Sequence, residues 1–351
     1  MFAYIGCYTT PDRDGRGDGI NVYRIDPANG TWTHIQNVGG LENPSLFTLN
    51  RAGTRLWSVH GGRTLISAFA IDRASGHMAL INQCDCGGEN PVDSALDASE
   101  RHLVIGNYGS GTVAVMPIGD DGAILPVTQS VTLEGTPGPD PHHQASSHPH
   151  AVIFDPSHRF VIVPDKGFDR TFIFRFENGR LTPTAQGSIA SARGAAPRHT
   201  IFHPSLPILY VNNELDSTVT VFGWNRETGH ASEIQVATTI PGGHAGRNTT
   251  AEIAVSPDGR CLYVSNRGQD SVVLFAIDPA DGRLTFQGFT PTGGRRPRFF
   301  TLTPNADRLY VANQDSGDIT AFDRDAATGR LTARGVVVHT GSPSAISFVA
   351  G

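Results

Sequence analysis

Cysteine is scarce. Four residues (Cys7, Cys84, Cys86 and Cys261) in a chain of 351 are too few for a disulfide framework. Cys84-Asp-Cys86 is a lone C-x-C without the second half a zinc site needs. A reducing compartment is the expectation. No stretch approaches the roughly 18 apolar residues of a membrane span. The opening "MFAYIGCYTT" runs directly into strand-like sequence, without the basic segment, apolar run and small-residue site of a secretory leader, so the cytoplasm is expected. A basic excess is also missing. Twenty-seven Lys and Arg against 33 Asp and Glu leave a formal charge of −6, which argues against nucleic acid and membrane surfaces as partners.

What is present is glycine and proline, 40 and 23 residues, scattered along the chain as in proteins of many short strands and tight turns. The scatter is periodic. "PRHTIFHPSLPILYVNNELDSTVTVF", "AEIAVSPDGRCLYVSNRGQDSVVLFAID" and "RPRFFTLTPNADRLYVANQDSGDITAFD" are variants of one unit. Related units lie upstream, and their heads fall at Pro44, Pro91, Pro149, Pro197, Thr250, Pro297 and Pro343, 46 to 58 residues apart. Each unit reads as an apolar strand A, a strand B around "LYV", a strand C around "VTVF", a D-x-x-x-G turn and a strand D. That period and content predict propeller blades. The last head supplies a strand A alone, and the N-terminal segment supplies B, C and D without an A. Joined, they complete one blade. The fold class expected is all-β: a seven-bladed β-propeller of four antiparallel strands per blade, one domain over 1–351, its ring closed by the C-terminal strand joining the N-terminal blade. Closure removes the two sheet edges an open ring would expose.

Blade strands alternate in direction, so the start of each A and the end of each B ring one mouth of the central channel. The A-start positions are Ser45, Val92, His150, Arg198, Ala251, Arg298 and Ser344, with Asp93, His199 and Glu252 beside them. The B-end positions are Tyr8, Gly61, Tyr108, Asp165, Glu214, Arg267 and Gln314. The opposite face carries turns such as "SPDGR" and "HPSLP", which read as plain turn chemistry. Charge collects at one mouth. A single rim charge is commonly just solvated, but three blades place His150, Arg198 and Arg298 at one equivalent position.

Several Arg beside one or two acids suit an anionic substrate, because the guanidinium fork matches carboxylate or phosphate and keeps its charge when desolvated. Glu214 or His150 is the candidate general base or acid. Arg198 or Arg267 is placed to stabilise an oxyanion. No G-x-S-x-G elbow is present, so attack by water is expected rather than an acyl-enzyme. The stretch "TPGPDPHHQASSHPH" (136–150) lengthens one interval. Its His142, His143, His148 and His150 invite a metal reading, but Pro149 splits the last two and no helical i, i+4 pair forms, so it reads as a loop over the mouth. The run "GGRRPR" (293–298) lacks the aromatic interleaving of a nucleic-acid site.

The P-R-H, N-E-L, A-E-I and S-N-R-G segments together resemble the lactonase-type seven-bladed propellers, a family that includes bacterial 6-phosphogluconolactonase and the fungal 3-carboxy-cis,cis-muconate lactonizing enzyme. The resemblance implies chemistry without metal or other cofactor on a small anionic lactone, with 6-phosphogluconolactone the foremost candidate. It implies catalytic roles for His150, Arg198, Glu214 and Arg267. Arg298, His199, Glu252, Asp165, His143, Gln144, Tyr108 and Gln314 are expected to bind substrate. Two departures stand out. His143-Gln144-Ala145 replaces an R-Q-acid triplet of the insertion, and Asp165-Lys166-Gly167 puts a cation where the family carries D-L-G. A muconate-type cycloisomerase and a non-catalytic binding propeller are the competing readings. The first would clamp carboxylates and need no phosphate. The second would want exposed apolar patches, and WD-type dipeptides are absent. A homo-oligomeric state is left open.

Overall fold

The computed structural model describes residues 1–26, 29–242 and 244–350. Pro27 and Ala28 of the expected first D-x-x-x-G turn, Gly243 and the terminal Gly351 lie outside the described residues. Among those described, seven four-stranded antiparallel sheets form the blades, and the one helix is the 3-10 turn Pro11–Arg13. Blade 1 joins the last strand to the first: Pro343–Val349 pairs with Phe2–Cys7, Phe2 opposite Val349 and Ile5 opposite Ile346. The innermost strands of blades 2 to 7 are Pro44–Leu49, Pro91–Leu96, Ile153–Phe154, Pro197–Phe202, Thr249–Val255 and Pro297–Leu302. Blade 4 departs from the expected full-length strand A. Asp93 of blade 3 takes the backbone N–H of Val152, so pairing shrinks to Ile153–Phe154 and a bridge from Pro149 to Asp165.

Second strands such as Phe2–Cys7 and Ile208–Asn213 are buried throughout, whereas outer strands such as Leu284–Pro291 are largely exposed. The apolar clusters lie between neighbouring blades. Tyr210 and Val221 of blade 5 pack with Leu262 and Phe275 of blade 6, and each buried side chain of this size contributes roughly 1.5–3 kcal/mol.

The repeated "LYV" has a specific use. The hydroxyls of Tyr4, Tyr210 and Tyr263 donate to the carbonyls of Gly76, Gly282 and Gly329, each in the D-x-x-x-G turn of the next blade; Trp57 does the same to Gly122. Gly282 has φ +76, and a Cβ there would sit 2.7 Å from Ile208, so the turn demands glycine. Farther out, Gln36, Gln129, Gln186 and Gln235 each bond both ways to the backbone of the next blade's outer strand. Adjacent blades are thus clamped at two radii.

Candidate active site at one mouth of the channel

The mouth is built by a repeated backbone device. Asn43, Asn90, Ala196, Arg296 and Ser342, each just before a strand-head proline, adopt left-handed backbone with φ between 40 and 58. Their carbonyls accept the amides of Gly61, Tyr108, Glu214, Gln314 and Tyr8, the residues at the ends of the second strands. Such conformations cost about 1–3 kcal/mol and persist where the surroundings over-determine them. Immediately after each proline the pairing register shifts, at Pro44/Leu46, Pro91/Asp93, Pro197/His199 and Pro297/Phe299. A bulge breaks the strict alternation of side chains. Consecutive residues Arg198 and His199, and likewise Arg298 and Phe299, therefore line the same stretch of channel.

Glu214 is the centre of the charge cluster. Its Oε1 lies 2.9 Å from Lys166 Nζ and 3.1 Å from Arg267 Nη2, and its Oε2 lies 3.1 Å from Arg198 Nε. Arg198 and Glu214 are 2% and 6% exposed, so solvent screens little of this. Burial opposes ionisation of Glu214, but Lys166, Arg267 and Arg198 outweigh it and hold the carboxyl well below the ordinary glutamate range. Burial pulls Lys166 down to about 8 despite Glu214. Arg198 also donates to the Ala251 carbonyl at 2.5 Å, and Arg267 to that of Thr250 at 2.8 Å. The Arg198–Glu214 contact is off the hydrogen-bonding direction, leaving Arg198 Nε and Glu214 Oε2 without a bonded partner. Arg267 Nε, His150 Nδ1 and Gln314 Oε1 are likewise buried without a hydrogen-bond partner among the described residues, a rare condition in folded chains.

His150 stands edge-on to Tyr108, ring centroids 5.6 Å apart, and 5.3 Å from the His199 ring. Burial, reinforced by Arg198 and Lys166, holds it well below 6.5 and hence neutral near pH 7. The 136–150 loop does fold over this end, and its histidines diverge. His148 stacks on Tyr108 at 4.3 Å, His143 Nε2 accepts from Arg247 at 2.6 Å, and His142 is exposed. Among the described residues no group of three or more His, Cys, Asp or Glu is placed to hold a metal ion.

Three expected contributors have other work. Gln144 is fully buried, donating to the Lys166 carbonyl and Asp169 Oδ1. Asp165 is fully buried, accepting from the Ser147 hydroxyl and the amides of His148 and Phe168. These two tie the loop down. Glu252 lies deeper than the mouth, accepting from His199 Nδ1 at 3.0 Å, and Asp93 and Glu252 line the far end of the channel. The chain spacing of blades hides this depth, because the bulge sends residues after the proline down the axis.

Two spaces result, bridged by the Arg198–Glu214 pair, whose two members line one space each. The outer cavity, about 380 Å³, is lined by Glu214, Arg267, Arg247, Arg295, Arg296 and His143, with Asp270 and Asp315 beside Arg296. The channel waist, about 20 Å³, is lined by His150, Arg198, His199, Arg298 and Tyr8. Arg247, Arg295 and Arg296 are missed by strand-position reasoning because loops deliver them. For Arg295 and Arg296 the visible signal is the "RRPR" run, which sends those two to the rim and Arg298 into the channel, 5.3 Å from the Tyr8 ring; Arg247 carries no such signal.

The family described as lactonase, 7-bladed beta-propeller, matches residues 2–348. A curated relative from Bacillus subtilis, named 6-phosphogluconolactonase, is 32% identical over 301 residues, covering 85% of this chain and 83% of that protein. A 6-phosphogluconolactonase from Formosa agariphila is 31% identical over 299 residues, covering 82% of each. Among solved structures, the periplasmic gluconolactonase of Pseudomonas aeruginosa superposes with a TM-score of 0.91 at 31% identity, covering 99% of this chain and 98% of that one.

Proposed function

Because the chain belongs to the seven-bladed β-propeller lactonase family, we propose that it hydrolyses 6-phosphogluconolactone to 6-phosphogluconate at the mouth just described. The observation that carries this reading is the set of buried polar atoms without protein partners, His150 Nδ1, Arg198 Nε, Arg267 Nε and Glu214 Oε2, beneath a rim of arginines.

The phosphate lies in the outer cavity against Arg247, Arg295 and Arg296, where guanidinium forks meet its oxygens. The lactone carbonyl lies inward, toward Arg198 and Arg267. The waist beside His150 suits one water molecule, which needs about 10–15 Å³. Neutral His150 takes a proton from that water as its oxygen attacks the carbonyl carbon. The developing oxyanion is stabilised by Arg198 and Arg267, whose positions Glu214 fixes in advance. The ring C–O bond then breaks and the leaving oxygen takes the proton back from His150. Glu214, held ionised by three cations, is a poor proton acceptor, and its role is to hold those cations.

A cytoplasmic location belongs to this reading: all four cysteines are free and Cys7, Cys86 and Cys261 are buried. No helix among the described residues is long and apolar enough to cross a membrane. The small anionic lactone is the partner; nucleic acid and membranes have no part. The test is pH-stat hydrolysis of 6-phosphogluconolactone against a blank for spontaneous opening, with carboxymuconate absorbance as a second arm. A rate above the blank that His150→Asn removes supports the reading. A rate no faster than the blank, or turnover of carboxymuconate alone, overturns it.

A further inference from the structure

The channel has a second end. Beyond His199 the inner strands continue to the opposite face and enclose a cavity of about 450 Å³. Phe47, Phe154, Phe202 and Phe299 line it together with aliphatic side chains, and among the described residues no Lys or Arg does. The waist between the two ends has room for about one water, so a single organic ligand cannot occupy both.

Of the polar residues lining this cavity, Glu252 is the one with an unpartnered buried atom among the described residues. Its Oε1 accepts from His199 Nδ1 and from the backbone N–H of Ile253, both at 3.0 Å. Its Oε2 is buried and has no hydrogen-bond partner among the described residues. A second carboxyl, Asp93, lines the same cavity, but its oxygens are engaged by the amides of Ser94 and Val152. The two ends therefore differ in their cations: Lys166, Arg198 and Arg267 surround Glu214 at the mouth, whereas the far cavity has carboxyls and, among the described residues, no Lys or Arg. A buried carboxylate oxygen left without a hydrogen-bond donor beside phenyl rings is the combination that recognises an ammonium group, through hydrogen bonding and through attraction of the cation to aromatic faces.

We propose that this far cavity is a binding site for a small organic ammonium ion, whose N–H donors satisfy Glu252 Oε2 and whose apolar body packs on Phe154, Phe202 and Phe299. The site goes beyond the lactonase reading and does not depend on it.

Benzylammonium is the probe, with benzyl alcohol and benzoate as comparators of similar shape, measured by titration calorimetry on the full chain. The expected result is one saturable site for benzylammonium, at least tenfold weaker binding of the alcohol and benzoate, and a tenfold or greater loss in Glu252→Gln. A melting curve establishes that the variant is folded. Ile201→Trp, which fills the cavity from a different wall, should abolish binding by itself. Saturating 6-phosphogluconate should leave benzylammonium affinity unchanged within twofold. Absence of saturable binding, equal binding of benzoate, unchanged affinity in both variants, or competition with 6-phosphogluconate would each overturn the proposal.

Discussion

Replacing Glu214 by Gln removes the one carboxylate that Lys166, Arg198 and Arg267 share. The side chain keeps its shape, so the perturbation is one of charge. Breaking a buried ion pair from one side costs about 3–5 kcal/mol, because the remaining charge is left uncompensated. Unfolding entropy of about 2.1 cal/mol/K per residue over 351 residues makes each kcal/mol worth roughly 1.4 °C, so the midpoint should fall by about 4–7 °C near pH 7. The pH dependence has a definite sign. The folded Glu214 carboxyl is depressed, so its contribution is complete above the unfolded value of about 4.3 and is lost as pH falls through the folded value. The gap between wild type and variant should hold from pH 7 to 5 and narrow in stronger acid. Lys166→Met in the same background should restore part of the loss, since it removes one of the stranded cations. Scanning calorimetry of the four proteins closes the cycle, and pH-stat assays should show lactone turnover falling in Glu214→Gln. A midpoint within 1 °C of wild type at pH 7, or strictly additive single and double variants, would refute the clamp.

His150→Asn should lower lactone turnover by about 10²–10⁴-fold, the usual worth of a general base. In wild type, kcat/KM should stay level from pH 7 to 6 and fall only in stronger acid, because burial holds His150 well below 6.5 and the neutral ring is the active form. Lys166, at about 8, should lose its proton as pH rises, loosening its pairing with Glu214; a fall in turnover above pH 8 that disappears in Lys166→Met checks this. Arg296→Ala should raise KM for 6-phosphogluconolactone while leaving δ-gluconolactone kinetics unchanged in parallel assays. Tyr210→Phe loses the hydrogen bond to Gly282, about 1 kcal/mol, and should lower the melting midpoint by roughly 1–2 °C with turnover intact.

Much of the mouth could be anticipated before any coordinates. His150, Arg198 and Arg298 do line one waist, and Glu214 and Arg267 one cavity, because each sits at a fixed offset from a repeating strand head. Lys166 stood out as a cation replacing an apolar family residue, yet its bond to Glu214 runs between neighbouring blades and leaves no mark in the spacing. Gln144 and Asp165 misled for a related reason. Their residue types suit substrate binding, but the insertion's own backbone needs them, and a Cβ at Gly167 would collide with the Ser146 carbonyl where that loop packs down. The far cavity escaped notice because its turns are ordinary; the inner strands passing beneath them supply its rings.

Local chemistry, readable along the chain, determined the repeating unit, the number of blades, the route of closure and which residue types reach one mouth. Each of those follows from turns, alternation and apolar runs within about 50 residues. Tertiary structure alone decided the distances: which cations share Glu214, how far down the axis Glu252 sits, and where arginines from loops converge. Those distances depend on how blades lean against one another and on bulges that turn two successive side chains into one channel, and neither is encoded in spacing.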